Sequence, residues 1–124
     1  MATDYSPVHQ PGDAFTLTTS ADVTAGQALI VSGDNTVAPA SGASSAYIGI
    51  AAFTAASGAE VTVLSGGVHT LAASGAISAG ELVTTAASGA VAVQGTPSAA
   101  NDIQVIGVAL AAAASSKVTV KLFR

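Results

Sequence analysis

The sequence predicts an all-β protein: a small antiparallel β-barrel or sandwich domain built from two tandem β units, with an extended N-terminal arm. Three observations carry this. Short runs rich in Val, Ile, Leu and Thr recur along the chain and are separated by Gly/Ser turns, the pattern of many short strands joined by tight connections. Within runs, side-chain character alternates. Val118, Val120 and Leu122 fall on one face of the last run, and Lys117, Thr119 and Lys121 on the other, as a pleated strand requires. Third, the order of pieces repeats, over about residues 15–64 and again over 69–122.

Residues 1–14 come first. Pro7 and Pro11 lack backbone donors and push their neighbours toward extended geometry, while Tyr5 and Val8 are the only large apolar side chains besides Met1. An arm is expected here rather than a sheet strand. Nine strands follow, at residues 15–19, 28–32, 47–53, 60–65, 68–72, 81–85, 90–94, 103–110 and 117–123. Asp34 and Asn35, in the sequence SGDNT, make good turn chemistry. The Ala-rich text over 109–116 predicts a short helical turn at most, because Ala favours helix but the stretch is too brief to hold one alone.

The repeat aligns FTLTTSADVTAG with HTLAASGAISAG at an offset of 54 residues, and Ile48-Gly49-Ile50 with Ile106-Gly107-Val108 at an offset of 58. The shared order is strand, Ala-Gly turn, strand, variable loop, Ile-Gly strand, Ala/Ser/Gly turn, Val-Thr-Val strand. Neither half could bury a sufficient core alone, so both are expected to pack as one domain over residues 15–124. Gly49 and Gly107 interrupt strand text. A bulge or close backbone approach is one reading of such a glycine; simple fit in a crowded small barrel is the expectation favoured here.

Composition narrows function. Half of the 124 residues are hydrophobic, but 29 of these are Ala, and only 8 % of the chain is charged. No apolar run approaches the ~20 residues of a membrane-spanning helix. Three basic residues stand against seven acidic ones, too few to neutralise a phosphate backbone, so neither nucleic acid nor membrane is an expected partner. Those three, Lys117, Lys121 and Arg124, all lie in the last eight residues. Cys is absent, which removes disulfides and thiolate metal sites. The first residues have neither a basic start nor an apolar core, so no secretory signal is expected.

Chemistry-bearing patterns are sparse. The imidazoles are His9, in the arm, and His69, which aligns with Phe15 of the first repeat. Packing or a place on a sheet surface fits His69 better than catalysis, which needs a nucleophile and an orienting acid beside it. The carboxylates are dispersed, without the alternate spacing of a calcium loop. No enzyme activity, cofactor or metal is expected. Function by shape and association is.

The residues that point further are Gly67-Val68-His69-Thr70-Leu71, Ser78-Ala79-Gly80-Glu81-Leu82-Val83, Ile106-Gly107-Val108-Ala109-Leu110-Ala111-Ala112 and Val118-Thr119-Val120-Lys121-Leu122. In this order, over about residues 13–124, the chain resembles the capsid decoration, or cement, proteins of tailed bacteriophages. The resemblance implies a non-enzymatic virion protein, made in the host cytoplasm, on the outer face of the expanded icosahedral head. Its implied partner is the major capsid protein, met as a homotrimer at three-fold and quasi-three-fold positions. Candidate contact residues are Tyr5, Pro7, Val8, His9 and Pro11 in the arm, and Lys117, Lys121 and Arg124 on the basic C-terminal strand. A head-fibre protein or a cell-surface adhesion module is the alternative.

Overall fold

A computed structural model describes residues 14–95 and 102–124. The arm residues Tyr5, Pro7, Val8, His9 and Pro11 lie outside the described residues. The fold is all-β. Its strands are β1 (Ala14–Thr19), β2 (Ala28–Gly33), β3 (Thr36–Pro39), β4 (Tyr47–Ala51), β5 (Glu60–Leu64), β6 (Gly67–Ala72), β7 (Leu82–Thr85), β8 (Val91–Val93), β9 (Val105–Ala109) and β10 (Lys117–Leu122). Every expected strand is present, with each end within two residues of the expected one.

The first five strands close into a barrel in the order β1-β3-β2-β4-β5, and the last five form a sheet in the order β6-β10-β9-β7-β8. The two units share one wiring. β1 pairs antiparallel with β5, as β6 does with β10. β2 lies between β3 and β4, as β7 lies between β8 and β9. Loop hydrogen bonds correspond as well. Gly26 N donates to Ala51 O (2.9 Å) and Gly80 N to Ala109 O (2.8 Å); Ser20 N donates to Val37 O (2.9 Å) and Ser74 N to Val91 O (2.7 Å).

Each unit fills its own interior. Val23, Leu29, Val37, Ala51, Val61 and Val63 form the first core, with Leu17 and Ile48 against it. Leu71, Ile77, Val83, Val91, Ile106, Ala109, Val118 and Val120 form the second. Ala28, Tyr47 and Ile50 belong to the first unit by sequence but are buried in the second cluster. Cross-unit hydrogen bonds flank them: Gln27 Nε2 to Ser88 O (3.0 Å), Gly89 N to Ala40 O (2.9 Å) and Thr85 Oγ1 to Gly42 O (2.8 Å). The second unit therefore sits on the outward side of β2 and β4.

Four features depart from expectation. β3 occupies text that reads as variable loop, TVAP; with Pro39 at its end the segment carries few strand signals, yet Asp34-Asn35 folds it back as a hairpin onto β2. β1 and β3 pair in parallel, at Thr18↔Thr36 and Thr19↔Val37, and this closes the otherwise antiparallel barrel. Over 109–116 no helical turn forms. Backbone donors there go to other segments: Leu110 N to Thr119 O (2.8 Å), Ala113 N to Ile77 O (2.9 Å) and Ala114 N to Lys117 O (2.9 Å). Ser115 and Ser116 both take positive φ, 52° and 59°, as a two-residue hairpin turn demands. Ala helix preference, a few tenths of a kcal/mol per residue, does not outweigh these bonds.

Gly49 and Gly107 are the fourth departure. Each lies beside a register shift: Leu29 and Ile30 pair with Gly49 and Tyr47, and Val83 and Thr84 pair with Gly107 and Val105. A Cβ on Gly49 would stand 2.6 Å from Leu64 O, and one on Gly107 would collide with Lys121 O. The bulge with close backbone approach is thus the correct reading, in place of simple fit in a crowded barrel.

Candidate functional site

Strand β10 is the element that places the basic side chains. Val118, Val120 and Leu122 point into the second core, which turns Lys117, Thr119 and Lys121 outward. Lys117 and Lys121 share that face, about 13 Å apart at ~3.3 Å per residue. Register then fixes their neighbours: Ala72 beside Lys117, Thr70 beside Thr119, and Val68 beside Lys121 on β6. On the other side Val108 of β9 lies beside Lys121, and Leu82 of β7 beside Val108. Leu110, just past β9, bonds to Thr119 O. Val68, Leu82 and Leu110 are 56 %, 40 % and 51 % exposed. The sheet face is therefore two lysines set among exposed aliphatic side chains. Alternation alone could have placed these three outward; the sequence reading singled out only the charges.

Arg124 goes elsewhere. Its guanidinium donates to Ile103 O (2.9 Å) and lies 5.6 Å from the Tyr47 ring centroid, a cation–π distance. It ties the C-terminus to the first unit. Tyr47 is 3 % exposed, and its buried hydroxyl has no hydrogen-bond partner among the described residues. Burial pushes that hydroxyl above its usual range, while the Arg124 charge pulls it partly back.

Pockets with chemistry are not the theme of this surface. His69 Nε2 donates to Gly66 O (2.9 Å) in its own turn. Among the described residues, no three His, Cys, Asp or Glu side chains gather as a metal site would require. No helix of the described residues is long and apolar enough to cross a membrane. A groove of about 460 Å³ between the units, lined by Ser41, Gly42, Thr84, Thr85, Gln94 and Gln104 among others, has no charged side chain among its described lining residues. A second groove, of about 290 Å³, has Lys117 as the one charged residue among its described lining residues.

The structure is a small β protein of one closed five-strand barrel and a second five-stranded sheet, with two lysines among exposed aliphatic side chains on the sheet's outward face. Residues 9–123 match the family model described as phage cement protein, and the chain belongs to that family. It is thus a bacteriophage structural protein. The fold is similar to that in the crystal structure of the head fiber gp8.5 N base in bacteriophage phi29, with a TM-score of 0.67 and 22 % identity over 88 % of this chain and 92 % of that one. No curated protein matches the chain.

Proposed function

We propose that the protein is a capsid cement: it binds the outer face of the expanded icosahedral head and holds the shell against rupture. Family membership across residues 9–123 carries this reading. The acidic chain, with its lysines gathered on one open sheet face, supports it. The partner is the major capsid protein. The protein acts as a homotrimer at three-fold and quasi-three-fold positions, with the N-terminal arm, including Tyr5, Pro7, Val8, His9 and Pro11, as a second anchor beside Lys117, Lys121 and Arg124. A domain this small gains from burying further surface between subunits.

The mechanism is linkage. A ligand that binds only the expanded shell stabilises that state by RT ln(1 + [L]/Kd) per site, about 2.7 kcal/mol at a hundredfold excess over Kd. Repeated over many sites, this opposes rupture strongly. The test is thermal rupture of DNA-filled heads with the protein present, absent and added back. Rupture at higher temperature with the protein, restored on adding it back, is expected. Identical curves in all three overturn the cement reading. They would favour the head-fibre reading, for which the fold shared with the phi29 head-fibre base speaks.

A further inference from the structure

The two units offer an internal control on what their outward faces are for. On the first unit, Ala28 of β2 and Ile50 of β4 are register partners and face outward, away from their own barrel core. They are 0 % and 2 % exposed, because the second unit covers them. The matching positions of the second unit are Leu82 and Val108, again register partners. Leu82 is exposed and Val108 half-buried. Nothing of this chain lies over them among the described residues. One row across the sheet reads Val68, Lys121, Val108, Leu82, and the next reads Thr70, Thr119, Leu110.

We infer that this face, Val68, Leu82, Val108 and Leu110 around Lys121, is the surface that docks on the shell subunit, at a site presenting a carboxylate opposite Lys121 among apolar side chains. This rests on the cement reading. The charge pattern selects the partner. Where the second unit has Lys117 and Lys121, the first has Glu60 and Leu64, so the open face is marked for an acidic counterpart. The apolar rows supply the buried area, and the lysine supplies register and rejects basic surfaces.

A second copy stacked as the second unit stacks on the first would fit badly. Within the chain, Gln27 Nε2 donates to Ser88 O. The residue matching Gln27 is Glu81, whose carboxylate already accepts from Ser78 N (2.6 Å) and has no proton to donate. The residue matching Ser88 is Asp34. Such a stack would set the Glu81 carboxylate against a backbone carbonyl, two acceptors with no donor between them, and lose the bond.

The experiment measures binding of the full chain to purified expanded shells. Lys121→Glu and Leu110→Asp test the face; Val31→Asp, at an exposed position on the first unit, is the control. Each face variant is expected to lose at least about tenfold in affinity, with the control within about twofold. Melting temperatures within about 3 °C of the parent exclude unfolding as the cause. Face variants that bind as tightly as the parent overturn the proposal. So does a face variant that dissociates an oligomer, which would assign the face to a second copy. If the parent chain itself binds no shell, the cement reading falls first and this assignment with it.

Discussion

The two five-strand units have the same connectivity but differ in closure and in cover. The first closes through two parallel register pairs between β1 and β3, whereas the second joins its ends by a single bridge, Ala73↔Val91. Thr19 sits at the closing seam of the first unit; its buried Oγ1 reaches Ala56 O and Ala59 O (2.8 and 2.9 Å). The matching residue in the second unit is Ala73, which has no hydroxyl to offer. The outward side of β2 and β4 is covered, and that of β7 and β9 is open. Among the described residues, two copies of one wiring thus differ in cover: the outward face of one is buried and that of the other is exposed.

The largest expected effect tests that difference in cover. Ile50→Ala should cost about 2–4 kcal/mol, as expected for emptying a fully buried site. Val108→Ala, at the matching half-buried position, should cost under about 1 kcal/mol in the free protein. Denaturant unfolding of both variants is the measurement. Equal losses would mean that the two faces are equally covered.

Next come the glycines, which probe what the units share. Gly49→Ala and Gly107→Ala should each destabilise by about 1–3 kcal/mol, because the added methyl meets backbone across the strand. Gly42→Ala, with nothing within 4 Å of the new Cβ, should leave stability within about 0.5 kcal/mol. A tolerated Gly107→Ala beside a damaging Gly49→Ala would break the equivalence of the two bulges.

Much of this architecture was legible from residue patterns, for reasons specific to each element. Val118-Thr119-Val120-Lys121-Leu122 alternates cleanly because one face of β10 is core and the other is solvent. β3 was not legible: four residues ending in Pro39 are held by the hairpin and by β1, whose register partners lie 18 residues away in sequence. The Ala-rich 109–116 segment misleads because helix preference is local, while its hydrogen bonds are to Ile77, Lys117 and Thr119. At the site, the lysines were visible as the chain's sparse positive charge. The open aliphatic face was not, because Ala28/Ile50 and Leu82/Val108 read alike as strand residues. Only the packing of one unit on the other separates covered from uncovered.

A smaller effect concerns the seam. Thr19→Ala should cost about 1 kcal/mol by removing the hydroxyl's bonds to Ala56 O and Ala59 O, and hydrogen exchange should quicken at β1 and β3 while β6 and β8 stay unchanged. Loss spread evenly over both units would contradict a local closing role.

The smallest effect is at Tyr47. Its hydroxyl is buried without a partner among the described residues, so Tyr47→Phe should leave stability unchanged or raise it by up to about 1 kcal/mol. The pH dependence has a definite sign. The folded chain holds the phenol proton above the ordinary value of 10.0, so the unfolded chain releases it first. Stability should therefore fall as pH rises past 10, by up to about 1.4 kcal/mol per pH unit, and Tyr47→Phe should remove that fall. An unchanged slope in the variant would place the phenol in contact with water.

The most direct measurement is an electron cryomicroscopy reconstruction of expanded heads carrying the protein. The account predicts density on the outer surface where shell subunits meet, with the β7–β9–β10 face, Leu82, Val108 and Lys121, turned toward the shell and the sealed first unit away from it. Density with the first unit against the shell and Lys121 facing solvent would contradict the docking assignment. Heads without added density at any subunit junction would contradict the cement function itself.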